Sequence, residues 1–402
     1  MSEKSTPVAG APKYQSYLFV AILFMLTGTM AAMNNFKIPM IMTDIAATHN
    51  MEMTTASWLM AIFTFIGIFL ALPAGGFAQK FGPKAMVVVG AFFVAGGSVI
   101  GAFAGSGQLL IFSRAVEGVG FCLISVCGPL AVSKYVEPSK VGSAIGIWVM
   151  WVCLGQVIAF AVTPPLYVSM GLSGVWNIFA AATVIMALAV VFLIKEPTGL
   201  AASTADAEEA APATMRDIMG NKNVWLLVIA FMLFNVVLLS IIAFGPVYLE
   251  ERGVDVSAIA FATSIPMFLA LVASPVFGVL MDKLGTRKKL LILALVVIGP
   301  CTAMFFSSTG AVMYIGLVVF GLIGFGTPAA AVNSVGVTAG RPQLIGLAMG
   351  LFMVMQFVGM FLGSLLMPYL LEMTNGNWTT SGMVLIPIGL LSAVLVALAK
   401  YK

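Results

Sequence analysis

Apolar residues come in twelve long runs, at 17–42, 55–79, 84–105, 108–133, 141–167, 172–194, 223–249, 256–281, 288–308, 310–335, 343–370 and 381–399. A helix crosses the hydrocarbon core of a bilayer with about 20 mostly apolar residues, so each run predicts one membrane helix, numbered spans 1 to 12. Short polar loops join the runs, with one exception. Residues 195–222, KEPTGLAASTADAEEAAPATMRDIMGNK, are long, polar and rich in Ala, Thr and Glu. The pattern predicts an all-α membrane protein of twelve transmembrane helices. Residues 1–194 form one six-helix half, 195–222 a cytoplasmic linker and 223–402 a second six-helix half.

Composition removes the soluble alternative. Hydrophobic residues make up 61% of the chain and charged residues 8%, too few polar side chains to cover a soluble domain of this length. Lys and Arg then orient the bundle. With the N-terminus in the cytoplasm, sixteen of the nineteen fall on the inner side and Arg252 alone on the outer side; Lys37 and Arg114 remain within spans. That bias predicts a multi-pass protein of the plasma (bacterial inner) membrane with both termini cytoplasmic. Cys122, Cys127, Cys153 and Cys301 all lie in apolar runs and read as small core residues. No phosphate-binding glycine loop, metal-spaced His/Cys set or nucleophile elbow is present, so no enzyme, cofactor, metal or nucleic acid is expected.

The two halves repeat each other. Gly75-Gly-Phe-Ala-Gln79-Lys80-Phe-Gly82-Pro-Lys84, between spans 2 and 3, returns 203 residues later as Gly278-Val-Leu-Met-Asp282-Lys283-Leu-Gly285-Thr-Arg287-Lys288, between spans 8 and 9. In span 5, Gly142, Gly146, Gly155 and Pro164 return in span 11 as Gly346, Gly350, Gly359 and Pro368, an offset of 204. Two copies of one six-helix unit with the same orientation give a pseudo-symmetric bundle.

The loop at Gly278, Leu280, Asp282, Lys283, Gly285 and Arg287 resembles the loop motif of the major facilitator superfamily. Arg114-Ala-Val-Glu117-Gly118-Val-Gly120 is similar to that family's Arg-x-x-x-Gly-x-Gly element in span 4. The stretch Pro129 to Leu166 resembles the cyanate permease and nitroimidazole-transporter branch, whose arginine beside a proline in span 1 has Lys37-Ile38-Pro39 as its nearest equivalent here. The resemblance implies a major facilitator fold with spans 1, 4, 7 and 10 around a central cavity. It also implies a cytoplasmic gate at Gly82, Asp282, Lys283, Gly285 and Arg287, weakened in the first copy because Gln79 stands in place of the acid. Monomer is the family expectation.

Three ionisable residues lie within spans: Lys37, Arg114 and Glu117. Intramembrane charge is functional by default. Arg114 and Glu117 are three apart on a helix and can pair, which leaves a structural role and a proton-coupling role both open. Lys37 has no acid in its own span. Either its stem snorkels to the outer interface, or it lines the cavity and a solute anion neutralises it. On the second reading Asn34, Asn35, Asn235 and Gln356 orient polar atoms of the solute, while Trp148 and Trp151 form an apolar wall. The leading expectation is a secondary transporter for a small carboxylate or cyanate-like anion, working by alternating access with protons or a counter-anion. The alternative is a proton-coupled drug or cation efflux antiporter. Its span 5 signature, Gly-x-x-x-Gly-Pro-x-x-Gly-Gly, is not found at Gly146 and Gly155.

Overall fold

The computed structural model describes residues 14–196, 215–284, 287–341 and 344–400. Among them, eleven stretches are long and apolar enough to cross a membrane. The difference from twelve arises at spans 5 and 6, which join in one helical run, Trp151–Leu193, broken at Gly171. Gly171 has φ 66° and ψ −169°, backbone that only glycine adopts without strain. The predicted boundary between spans 5 and 6 falls at that break. Most of linker 195–222, the side chains of Asp282 and Lys283 and the whole of Gly285 in the expected gate lie outside what the structure describes.

Span 2 (Trp58–Phe81) and span 3 (Pro83–Ala102) meet at Gly82, whose φ of 86° makes the tight turn possible. Span 4 (Gly107–Tyr135) packs against both. Its glycines decide how closely. A Cβ on Gly118 would lie 2.3 Å from the Phe63 carbonyl oxygen, and one on Gly120 2.1 Å from the Gly90 carbonyl oxygen. Burial of apolar surface gives little drive in lipid, so close backbone contact is what holds such helices together. Gly97, Gly101, Gly359 and Gly363 make equally close contacts, whereas Gly105, Gly142, Gly146 and Gly346 face open space and are not packing positions. Gly118→Val is therefore expected to cost about 1–3 kcal/mol by overpacking, and Gly142→Ala to be neutral. Thermal unfolding of the two purified variants checks this; equal melting would remove the packing argument.

The internal repeat has a physical counterpart. Lys84 Nζ donates to the carbonyls of Val191 and Ile194 at 3.1 and 2.6 Å, closing the end of span 6. Lys288 Nζ, 204 residues on, donates to those of Ala397 and Ala399 at 2.8 and 2.7 Å, closing the end of span 12. A cation at a helix C-terminus satisfies orphan carbonyls and complements the helix dipole.

Spans 1–6 meet spans 7–12 chiefly through two pairs, span 2 with span 11 (Ile345–Met373) and span 5 with span 8 (Val256–Leu284). Phe361 packs on Trp58 and Phe65 with ring centroids 5.8 and 5.1 Å apart. The ring of Phe357 covers Gly67. At the end of the bundle away from Lys84 and Lys288, called the far face below, Thr43 Oγ1 donates to Glu250 Oε2 at 2.7 Å, joining span 1 to span 7 (Lys222–Glu251).

Candidate functional site: a buried charge cluster

The helix of span 1, Tyr17–Phe36, stops short and is followed by a 3-10 turn at Pro39–Ile41. Pro39 has no N–H, so the carbonyl of Asn35 has no donor four residues on. Arg114 supplies one. Its Nη2 donates to Asn35 O at 3.3 Å, its Nη1 to Asn34 O at 2.7 Å and its Nε to Leu59 O at 3.0 Å. The guanidinium lies 4.2 Å from the centroid of the Phe63 ring. One side chain of span 4 thus ties down the ends of spans 1 and 2, a task suited to the planar fork of arginine.

Glu117, one turn further, completes the cluster. Its Oε2 pairs with Arg114 Nη1, as the three-residue spacing predicted. Its Oε1 accepts from Lys37 Nζ at 2.7 Å. The other two ammonium protons go to Asn34 Oδ1 and Ser98 Oγ, both at 2.9 Å, so all three donors are used. The ammonium also sits 4.2 Å from the centroid of the Trp176 ring. Lys37, Arg114, Glu117, Asn34 and Ser98 are all fully buried. Gly97 makes the approach possible, since a Cβ there would lie 2.6 Å from Glu117 Cγ.

Two expectations for Lys37 are corrected. Its stem does not snorkel, because no part of the side chain reaches the surface. No solute anion is needed to neutralise it either, because Glu117 of span 4 does so. A buried charge is tolerated when it is paired and fully hydrogen-bonded.

Ser98 gives the cluster its chemistry. Its Oγ lies 2.6 Å from Glu117 Oε1 and 2.7 Å from Asn34 Oδ1, yet a hydroxyl has one hydrogen to give. With Glu117 ionised, Ser98 donates to the carboxylate. With a proton on Oε1, Glu117 donates to Ser98 and Ser98 to Asn34. The same heavy-atom positions serve both states. Asn34 is held in turn by Thr183 Oγ1 of span 6 at 3.2 Å.

The remaining candidates are scattered. Asn35 is fully buried, with neither amide atom hydrogen-bonded. Trp148 and Trp151 stack at 5.5 Å and pack against Gly28, with Trp148 also covering Gly128, so they fill the interior of the first six spans. Asn235 donates to its own helix at Phe231 O, 2.8 Å away. Gln356 is half-buried in span 11. Sequence reasoning missed Ser98, Thr183 and Trp176. Only Ser98 carried a signal, a hydroxyl beside the Gly97–Gly101 ladder.

Comparison with known proteins gives the cluster its setting. The model of the family described as the Major Facilitator Superfamily matches residues 20–364 and 249–402. A probable sulfoacetate transporter, SauU of Cupriavidus necator, is 26% identical over 260 residues, covering 60% of this chain and 56% of that one. An arabinose-proton symporter of Escherichia coli is 30% identical over 131 residues, covering 33% of this chain and 28% of that one. The first matches among curated relatives span about a third of their length or less. A solved bacterial homologue of the human lysosomal transporter Spinster, inward-facing and occupied, superposes with a TM-score of 0.79 at 15% identity, covering 96% of this chain and 97% of that one.

Proposed function

Given that this chain belongs to the Major Facilitator Superfamily of secondary transporters, we propose that it moves a small organic solute by alternating access, coupled to a proton held by the Lys37–Glu117–Arg114 cluster. One observation supports this reading above the others: two cations share a single carboxylate in a fully buried site. With all three ionised the cluster carries +1. Release of the Lys37 proton leaves a neutral arginine–carboxylate pair, and a low-dielectric interior penalises excess charge heavily. Lys37 is then the group that gains and loses the proton, while Glu117 stays paired to Arg114. The spacing of Arg114 and Glu117 left a coupling role open for that pair, with Glu117 as the candidate carboxylate; counting charge favours Lys37 instead. Ser98 Oγ, 2.9 Å from Lys37 Nζ, can then turn its hydrogen toward the neutral amine.

The bundle end bearing Lys84 and Lys288 is taken to face the cytoplasm, with both termini, in the plasma membrane, and the two six-helix halves rock about the solute. The anion reading rested on Lys37 and Arg114 as docking cations, and both have Glu117 as an internal partner; the cyanate-permease resemblance is carried by Pro129 to Leu166. What still favours an anion is the likeness to SauU.

The test is proton movement in proteoliposomes containing an internal pH dye, with sulfoacetate, L-arabinose, indole or tetraphenylphosphonium added outside. Wild type is expected to show proton flux that depends on one of these solutes. Lys37→Met is expected to lose that flux while still exchanging labelled solute across the membrane. Equal flux in wild type and Lys37→Met would remove Lys37 from the coupling step.

A further inference from the structure

The internal repeat keeps some positions and changes others. Gly118 and Gly321, 203 residues apart, each lie against a neighbouring backbone: a Cβ on Gly118 would meet the Phe63 carbonyl oxygen, and one on Gly321 would lie 2.9 Å from the Cα of Pro266. Gly155 and Gly359, 204 apart, lie in the same way against Thr29 of span 1 and Met232 of span 7. The charge cluster is not repeated, since Arg114 corresponds to Leu317 and Glu117 to Phe320. Nor are three rings beside it. Phe63 corresponds to Pro266, Phe121 to Gly324 and, at the offset of 204, Phe357 to Cys153. Positions common to both halves hold the fold, and those found in one half alone point to what the fold does.

The three phenylalanines form one file from the cluster to the second half. The Arg114 guanidinium lies 4.2 Å from the centroid of the Phe63 ring. Phe63 lies 5.0 Å from Phe121, and Phe121 meets Phe357 of span 11 edge-on at 6.3 Å. Tilted and edge-to-face pairs at such separations attract. Phe357 is buried, and its ring has a seat: a Cβ on Gly67 of span 2 would lie 2.4 Å from it. Phe361, one turn further, packs on Trp58 and Phe65 of span 2. Phe357 reaches past span 2 to span 4, and so touches both the seam between the halves and the file of rings that ends on Arg114.

We propose that Phe357 is a positioning residue for coupling: through its contacts with Gly67 and Phe121, the charge state of the cluster biases the seam between spans 2 and 11. Lys37 and Arg114 share one carboxylate. When Lys37 gives up its proton, Arg114 becomes the only cationic partner of Glu117, and the guanidinium is the group that rests on Phe63. Close-packed interiors are bistable rather than continuously deformable, so a shift of one ring in the file is felt by the next. Alternating access moves span 11 against span 2, which displaces Phe357 from its seat in each cycle. Proton release and rocking then meet at one ring. The inference rests on the proton reading of the cluster, but its test is read without proton flux.

A cysteine at Gly346 reports on the seam. Gly346 lies three turns before Phe357 on the same face of span 11, exposed, with nothing within 4 Å of where a Cβ would stand. Maleimide labelling of Gly346→Cys is timed in the full chain in lipid nanodiscs, corrected for the chain without that cysteine. Adding Lys37→Met, which fixes the cluster in its neutral form, is expected to change the rate by about threefold or more. In a Phe357→Leu background the same Lys37→Met change should have little effect, and Phe357→Tyr, which keeps the ring, should restore the response. Gly67→Ala, which unseats the ring, breaks the link a second way and should also abolish the response. A merely structural role for Phe357 would shift the starting rate and leave the response to Lys37→Met intact. Thermal unfolding of each variant shows that it is folded. No response to Lys37→Met, or an equal response with and without the Phe357 ring, overturns the proposal. Proton flux in the same variants separates the two readings: flux lost in Lys37→Met without a change in labelling overturns the role of Phe357 alone, and flux kept in Lys37→Met overturns the coupling reading itself.

Discussion

Glu117→Ala is expected to yield a chain that folds poorly, and adding Lys37→Met is expected to recover much of the loss. The single change strands two buried cations. Removing one partner of a buried pair costs about 3–5 kcal/mol, because the uncompensated charge stays behind. Here the Lys37 ammonium is fully buried. Arg114 is better placed to survive, since it also donates to the carbonyls of Asn34, Asn35 and Leu59. Lys37→Met replaces the ammonium with an apolar side chain of similar length and removes the more exposed debt of charge. Unfolding free energies of wild type, both single variants and the double variant complete a mutant cycle, and a strong favourable coupling between Glu117 and Lys37 is the expected result. Additive effects, or a Glu117→Ala chain as stable as wild type, would mean that the short distances do not reflect a working ion pair.

The division into spans was legible because bilayer thickness fixes helix length and leaves a pattern that needs no tertiary information. The Arg114–Glu117 pair was legible for a similar reason, as helix geometry brings residues three apart together. Lys37 was not. Its acid lies 80 positions later, on another helix, and nothing local announces the contact. The same holds for Thr183 and Trp176, which reach the cluster only through the packing of span 6. Glycine ladders were legible as a type but not position by position. Gly101 lies under the Trp176 indole while Gly105, one turn on, touches nothing within 4 Å. Phe320 looks like an ordinary span residue until the π-turn at Phe320–Gly324 is seen, and Gln156 until its buried Oε1 is found without a hydrogen-bond partner.

Bridging Thr43 to Glu250 across the far face is expected to arrest transport almost completely, and reduction of the bridge to restore it. These residues end spans 1 and 7 and join the first six spans to the last six through one hydrogen bond of 2.7 Å. Around them the far face is packed rather than open. Trp378 donates to Glu251 at 2.7 Å and stacks on Phe306, and Arg252 lies over the ring of Tyr248. Alternating access requires this face to part while the solute site stays fixed between the halves. A lone hydrogen bond between partly exposed groups contributes only about 0.5–1.5 kcal/mol, weak enough to open in each cycle. A covalent bridge is not. Thr43→Cys with Glu250→Cys, joined by a short bifunctional methanethiosulfonate, holds the face shut; each single cysteine treated alike is the control for simple modification. Labelled-solute exchange in proteoliposomes before and after reductant reads the effect. Exchange that continues through a fully formed bridge would show that spans 1 and 7 need not separate there, and that the cycle opens elsewhere.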